Sequence, residues 1–346
     1  MNGFDNRPNP ELMRERMEKL RRVKLDLRGV GWTMLASELT HTWLSVFIMG
    51  VLVAQRIAPE IGVTLTAEEL YRRAATLASG MLGTAWYANV IVVLTIVTAA
   101  IGVIPAVVFS RRRSLTLRPA MGFQGLSARD ILLMYVTMMG VNTLGALGVT
   151  ATDALFRATG FTIYIDIMMD DTAFSFWLMN IYAVLLAPLI EEYVYRGVLI
   201  EGMKRYGERF AVVGAAVIFG LAHGNLMQFL PAVLIGWFLG YIRVKTGSWS
   251  VCVLLHAMNN LTSLVLEGLL ERVPDERLYT ALNIAYMALT LVAAALLWRR
   301  MKARWGELSE PEPEERVGFP ALVSVPALIW LYLVFETMIT SVTRLA

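Results

Sequence analysis

The chain has one cysteine in 346 residues, Cys252. A single thiol excludes an intrachain disulfide and any cysteine-rich metal site. Histidine is nearly as scarce: His41, His223 and His256 are the only three, and no H-E-x-x-H motif sets two of them around a glutamate on one helix. Any site that uses histidine must therefore be assembled from separate segments. The first 28 residues lack the apolar core that a cleavable secretion signal requires, so no signal peptide is predicted. Charge of one sign is not in excess either. The 31 Lys and Arg against 28 Asp and Glu leave +3, and the basic residues cluster beside apolar runs, which predicts no nucleic-acid role.

What the chain has in quantity is apolar surface. Its hydrophobic fraction is 57%, against about 45–50% for an ordinary soluble domain, and the excess has to face lipid. Apolar runs, several near the roughly 20 residues needed to cross a bilayer, occupy Val30–Ala54, Trp86–Ser110, Ile131–Thr150, Phe174–Arg205, Phe210–His223, Phe229–Tyr241, Trp249–Leu269, Leu278–Trp298 and Phe319–Ser341. This predicts an all-α polytopic transmembrane helix bundle of about nine spans, a single transmembrane domain over residues 30–345 behind an arm of residues 1–29. In the arm, Leu12, Leu20, Val23 and Leu27 recur at roughly helical spacing among Arg and Lys, the pattern of an amphipathic helix on the membrane surface; the plainer alternative is a solvated tail.

The connecting segments alternate in charge. Arg14, Arg16, Arg21 and Arg22, then Arg111–Arg113 and Arg118, Lys204, Arg205 and Arg209, Arg243 and Lys245, and Arg299, Arg300, Lys302 and Arg304 fall on every second side. Glu60, Glu68, Glu69, Asp153, Asp166, Asp170, Asp171, Glu267, Glu271, Asp275 and Glu276 mark the others. The basic residues read as topology signals that place the N-terminus in the cytoplasm and the C-terminus outside. Thr66-Ala-Glu-Glu69 has the form of a capping box and predicts a short helix between the first two spans. Trp305–Arg316, rich in Glu and Pro, reads as a mobile cytoplasmic linker. No internal repeat is visible, which disfavours an inverted-repeat transporter.

A charged group inside a span costs several kcal/mol unless it has a partner and water, so each one is a functional candidate. Four places stand out: Glu191, Glu192 and Arg196; Phe219 and His223; His256 and Asn260; and, less prominently, Glu38 with His41. Glu191 lies 14 residues before Arg205 and His223 lies 14 after Arg209, so both sit about 21 Å from the same face. His256 and Asn260, counted from Gly247, come to about 14 and 20 Å, and three helices bring their polar groups to one layer. Glu192 with Arg196, and His256 with Asn260, are i,i+4 pairs that share a face, while Glu191 is turned about 100° from Glu192. Each feature also has a bland reading. Arg196 is the cheapest neutraliser of Glu192, a lone histidine on an apolar helix is usually a satisfied core residue, and Glu38 and His41 can satisfy each other. Cys252, one turn before His256, suggests a Cys/His nucleophile but more simply an inert buried thiol. Glu336 in the last run has no evident partner. The convergence of two histidines, two glutamates, an arginine and an asparagine at matched depth is what packing does not explain.

These motifs resemble the CAAX protease and bacteriocin-processing (CPBP, or Abi) family of intramembrane endopeptidases, whose pattern is E-E-x-x-x-R, F-x-x-x-H and H-x-x-x-N. The resemblance covers about residues 187–264, and Gly197 and Thr246-Gly-Ser248 also fit it. It implies an endopeptidase acting on a membrane-bound or lipid-anchored protein or peptide within the lipid bilayer. It further implies Glu191 as the general base on a water, His223 as a holder of that water, His256 with Asn260 as oxyanion stabilisers, and Glu192, Arg196 and Phe219 as supporting residues. Zinc held by Glu191, His223 and His256 and a metal-free glutamate mechanism suit these residues equally. The rival readings are a proton- or ion-coupled transporter and a non-catalytic immunity or scaffold membrane protein.

Overall fold

The structure, a computed structural model, describes residues 10–61, 66–117, 122–123, 125–164, 172–311 and 318–345. Arg118, Asp166, Asp170, Asp171 and the Glu312–Glu315 part of the linker lie outside the described residues, as do the side chains of Leu12, Arg16 and Glu60.

The protein is an all-α bundle of a multi-pass membrane protein. Its described strands are one antiparallel pair, Phe161–Thr162 against Thr343–Arg344, which ties the chain end to the loop after the third span. Seven helices are long and apolar enough to cross a bilayer: Met13–Pro59, Ala85–Arg112, Ala128–Arg157, Ala173–Tyr206, Leu226–Thr246, Trp249–Leu270 and Glu276–Trp305. Glu208–Leu221 has 14 residues and Val325–Thr340 has 16, or about 21 and 24 Å of helix, short of a hydrocarbon core of about 30 Å. The nine apolar runs thus become seven full-length spans and two short helices.

The described part of the arm is helical and continuous with the first span. α1 (Pro10–Glu38) passes through a π-helical turn at Leu39–Trp43 into α2 (Leu44–Ile61) without a break, and Val23 and Leu27 are buried against the bundle. α3 (Ala67–Met81) starts at the predicted capping box: the Thr66 hydroxyl accepts from the Glu69 amide, and the Glu69 side chain accepts from Thr66. The Thr66 hydroxyl and amide hold the Glu69 carboxyl below its usual range.

The second span is α4 (Ala85–Gly102) and α5 (Ile104–Arg112), interrupted where Pro105 removes a backbone donor. The third, α6 (Ala128–Arg157), packs on α13 (Glu276–Trp305) at backbone contact: a Cβ at Gly140 would lie 2.2 Å from Ala294 Cβ and 2.5 Å from the Thr290 carbonyl oxygen. Gly140→Val is therefore expected to cost about 1–3 kcal/mol through overpacking, read as a lower thermal midpoint of the purified protein.

At one end of the bundle Leu27, Arg113 and Arg205 line a common small cavity, so three of the basic segments share a side. The linker after Trp305 begins there and is partly fixed rather than mobile. Tyr241 donates its hydroxyl to the Gly306 carbonyl at 2.8 Å, and the Ser309 amide donates to Glu208 at 2.8 Å.

Candidate active site

The fourth span supplies three of the predicted polar groups, and its backbone is unusual where they lie. α7 (Ala173–Ile181) runs into a π-helical turn at Tyr182–Leu186. α8 (Ala187–Glu192) follows, then a second π turn at Tyr193–Leu199 and the short α9 (Ile200–Met203). In the first π turn the Ala187 amide bonds back five residues to Tyr182, so the next such bond would join residue 188 to the Ala183 carbonyl. Residue 188 is proline and has no N–H. The orphaned Ala183 oxygen instead accepts from Asn260 Nδ2 at 2.8 Å, which fastens α12 (Trp249–Leu270) to the fourth span. At the second π turn the Arg196 carbonyl accepts from Arg243 Nε at 3.0 Å, donated from α11 (Leu226–Thr246). The Glu191-Glu192 pair lies between two wide turns, each held from outside by a side chain, a helix defect that is frequent at functional sites.

Glu192 and Arg196 are 0% and 1% exposed, and Arg196 Nη1 lies 2.9 Å from Glu192 Oε1. That is an ion-pair distance without hydrogen-bond alignment, so both Nη atoms and Glu192 Oε2 are buried without a hydrogen-bond partner. The same Oε1 is 2.8 Å from His256 Nδ1. A carboxylate there accepts, so Nδ1 carries the proton and the ring is locked in one orientation. Its other nitrogen, Nε2, is 3.8 Å from Glu191 Oε2. Glu191 is 26% exposed, Glu192 not at all. The two adjacent carboxylates therefore face different surroundings: Glu192 anchors a buried arginine and a histidine, and Glu191 opens to space beside that histidine. Four groups from two helices form one cluster.

Phe219, in α10 (Glu208–Leu221), joins the third segment to it. The Arg196 guanidinium lies 4.4 Å from the Phe219 ring centroid, where the ring face adds to the attraction of the Glu192 carboxylate. The His223 and His256 rings stand edge-on to Phe219 at 4.8 and 6.1 Å. His223 lies just past α10, in the turn that leads back into α11, where Gly224 takes φ +64° and Asn225 caps the next helix. Its Nδ1 is 2.8 Å from the Phe219 carbonyl, which can only accept, so Nδ1 carries the proton and Nε2 keeps its lone pair.

Several expectations are revised. Glu38 and His41 do not satisfy each other: His41 lies in the π turn at Leu39–Trp43 that follows Glu38 and meets Thr98 at 3.3 Å, and Glu38 faces Thr42 and Trp330. Cys252 is fully buried, with its thiol directed at the Leu239 and Ser248 carbonyls, as an inert packing residue. Glu336 is exposed on its helix. Arg243 was counted with the topology cations, yet it is 5% exposed and also pairs with Glu201 at 3.0 Å. Asn259, which helical spacing does not single out, is buried, donates to Asn260 Oδ1 at 3.3 Å, and has its own Oδ1 unpartnered. As to zinc, no group of three or more His, Cys, Asp or Glu side chains among the described residues is arranged to hold a metal ion. Glu191, His223 and His256, the candidate ligands, therefore do not come together as a three-ligand set, and the donors do not fit a zinc site.

A carboxylate, guanidinium and imidazole cluster is thus buried among the helices of a membrane bundle. Residues 173–262 match the family model for the Rce1-like type II CAAX prenyl endopeptidases, so the chain carries a domain of the CAAX protease family. The matched segment holds Glu191, Glu192, Arg196, Phe219, His223, His256 and Asn260. No curated protein and no solved structure matches the chain.

Proposed function

We propose that the protein is an intramembrane endopeptidase in which Glu191 activates a water to hydrolyse a peptide bond of a membrane-associated, lipid-modified protein or peptide. The observation that carries this is the pairing of Glu191 Oε2 with an oriented His256 Nε2 at 3.8 Å. That separation leaves the two groups side by side, so a water can touch both. Glu191 takes a proton from the water as it adds to the scissile carbonyl. His256, carrying its second proton, and the remaining Nδ2–H of Asn260 donate to the oxyanion. Glu191 then returns its proton to the departing amine, which completes the hydrolysis. The His223 Nε2 lone pair accepts from the water and fixes its direction. Glu192 and Arg196 hold the His256 ring in one orientation, and Arg243 and Asn260 hold the wide turns on either side. The basic end of the bundle is the cytoplasmic one by the positive-inside rule, with water entering from there.

The test compares peptide products in membranes of cells making the wild type or His223→Ala. A product that only the wild type generates is expected, and identical products would overturn the assignment. Treating the purified protein with a chelator is expected to leave its cleavage rate unchanged; a loss restored by zinc would assign the chemistry to a metal instead.

A further inference from the structure

A groove of about 820 Å³ lies at the basic end of the bundle, between α1 and the start of α14 (Val325–Thr340). Its surface is mostly apolar, supplied by Met17, Leu20 and Leu25 on one wall and Val323 and Val325 on the other. Arg21, Lys24 and Arg28 also line it. They are three and four residues apart, which puts all three cations along one stripe of α1 over about 10 Å. None of the three is ion-paired with another described side chain, and Glu18, the acidic residue of the lining, is taken by Arg22 at 2.6 Å. The Ser324 hydroxyl is buried without a hydrogen-bond partner where the walls meet, and Gly31 lets them meet: a Cβ there would fall 2.6 Å from that hydroxyl.

The position of the groove decides what it suits. The helix from Met13 to Pro59 has 47 residues, or about 70 Å, far longer than a hydrocarbon core of about 30 Å. Its apolar run begins at Val30, so the stripe from Arg21 to Arg28 stands at the headgroup level, with Leu25 beside it and the Val323–Val325 wall, which meets α1 at Gly31, on the side toward the apolar run. A free anion would gain from the cations and nothing from the walls; an acyl chain alone would gain from the walls and nothing from the cations.

We infer that this groove binds one anionic phospholipid, its phosphate against Arg21, Lys24 and Arg28 and its first acyl carbons between the two helices. The site is separate from the Glu191 cluster and does not depend on its chemistry. Each basic residue near a charged membrane surface contributes about 1 kcal/mol, so removing two is expected to weaken binding about 30-fold.

The test is native mass spectrometry of the purified full chain in detergent, titrated with phosphatidylglycerol or with phosphatidylcholine of the same chains. One phosphatidylglycerol should bind in preference to phosphatidylcholine. Arg21→Gln/Lys24→Gln should lower its affinity about 30-fold, while Arg111→Gln/Arg112→Gln, an equal charge loss at the same end, should leave it unchanged. The exposed single change Lys24→Glu should also weaken binding, which guards against a misfolded double variant. Equal weakening by both double variants, equal binding of phosphatidylcholine, or displacement of the lipid by excess inorganic phosphate would each overturn the inference.

Discussion

Glu191→Gln is expected to lower kcat for membrane-peptide cleavage by about 10³-fold, within the 10²–10⁴ range for loss of a general base, with KM little changed. The amide is nearly isosteric with the carboxylate but cannot take a proton from water. Glu191 makes no direct hydrogen bond to the cluster and is 26% exposed, so the variant should keep the thermal midpoint of the wild type. That combination separates a chemical role from a structural one. A variant that cleaves at the wild-type rate, or one that loses activity only because it unfolds, would remove Glu191 from the reaction.

The adjacent carboxylate should behave in the opposite way. Glu192→Leu leaves Arg196, 1% exposed, as an uncompensated charge in the interior. Removing one partner of a buried pair costs about 3–5 kcal/mol, enough to threaten folding outright. The double variant Glu192→Leu/Arg196→Met replaces both charges with apolar groups of similar length and is expected to regain most of that stability, since such replacements are often neutral or better. It should nevertheless remain inactive. His256 Nδ1 would have lost its acceptor at 2.8 Å, and the ring would no longer be held with Nε2 toward Glu191. Thermal denaturation and cleavage assays on the three proteins check this. An active double variant would show that the pair serves stability alone.

The sequence made the helical class and the principal cluster legible for simple reasons. Lipid-facing helices must be apolar, so charged residues inside them are conspicuous, and i,i+4 spacing alone puts Arg196 beside Glu192. The face shared by His256 and Asn260 was also readable, and both side chains do turn toward the fourth span. Which atom each one meets was not. Asn260 was assigned to the oxyanion, yet the structure gives one of its donors to the Ala183 carbonyl, because a π turn offsets the backbone bonds by one residue at a proline. Pro188 was visible all along; the carbonyl it orphans is identifiable only once the turn is known to be wide. Arg243 was misread because counting cations near helix ends does not reveal which side chain turns inward. Two of the nine runs, Phe210–His223 and Phe319–Ser341, form helices of only 14 and 16 residues, because apolar composition marks a run without fixing where its helix starts and stops.

The account as a whole is tested by purified protein in liposomes carrying a membrane-anchored peptide substrate, with peptide cleavage and proton flux recorded on the same samples. The wild type is expected to cleave the peptide without moving protons, and folded Glu191→Gln to do neither. Proton flux in the wild type that Glu191→Gln abolishes, with the peptide left intact by both, would contradict hydrolysis and make the Glu–His–Arg cluster part of a transport pathway.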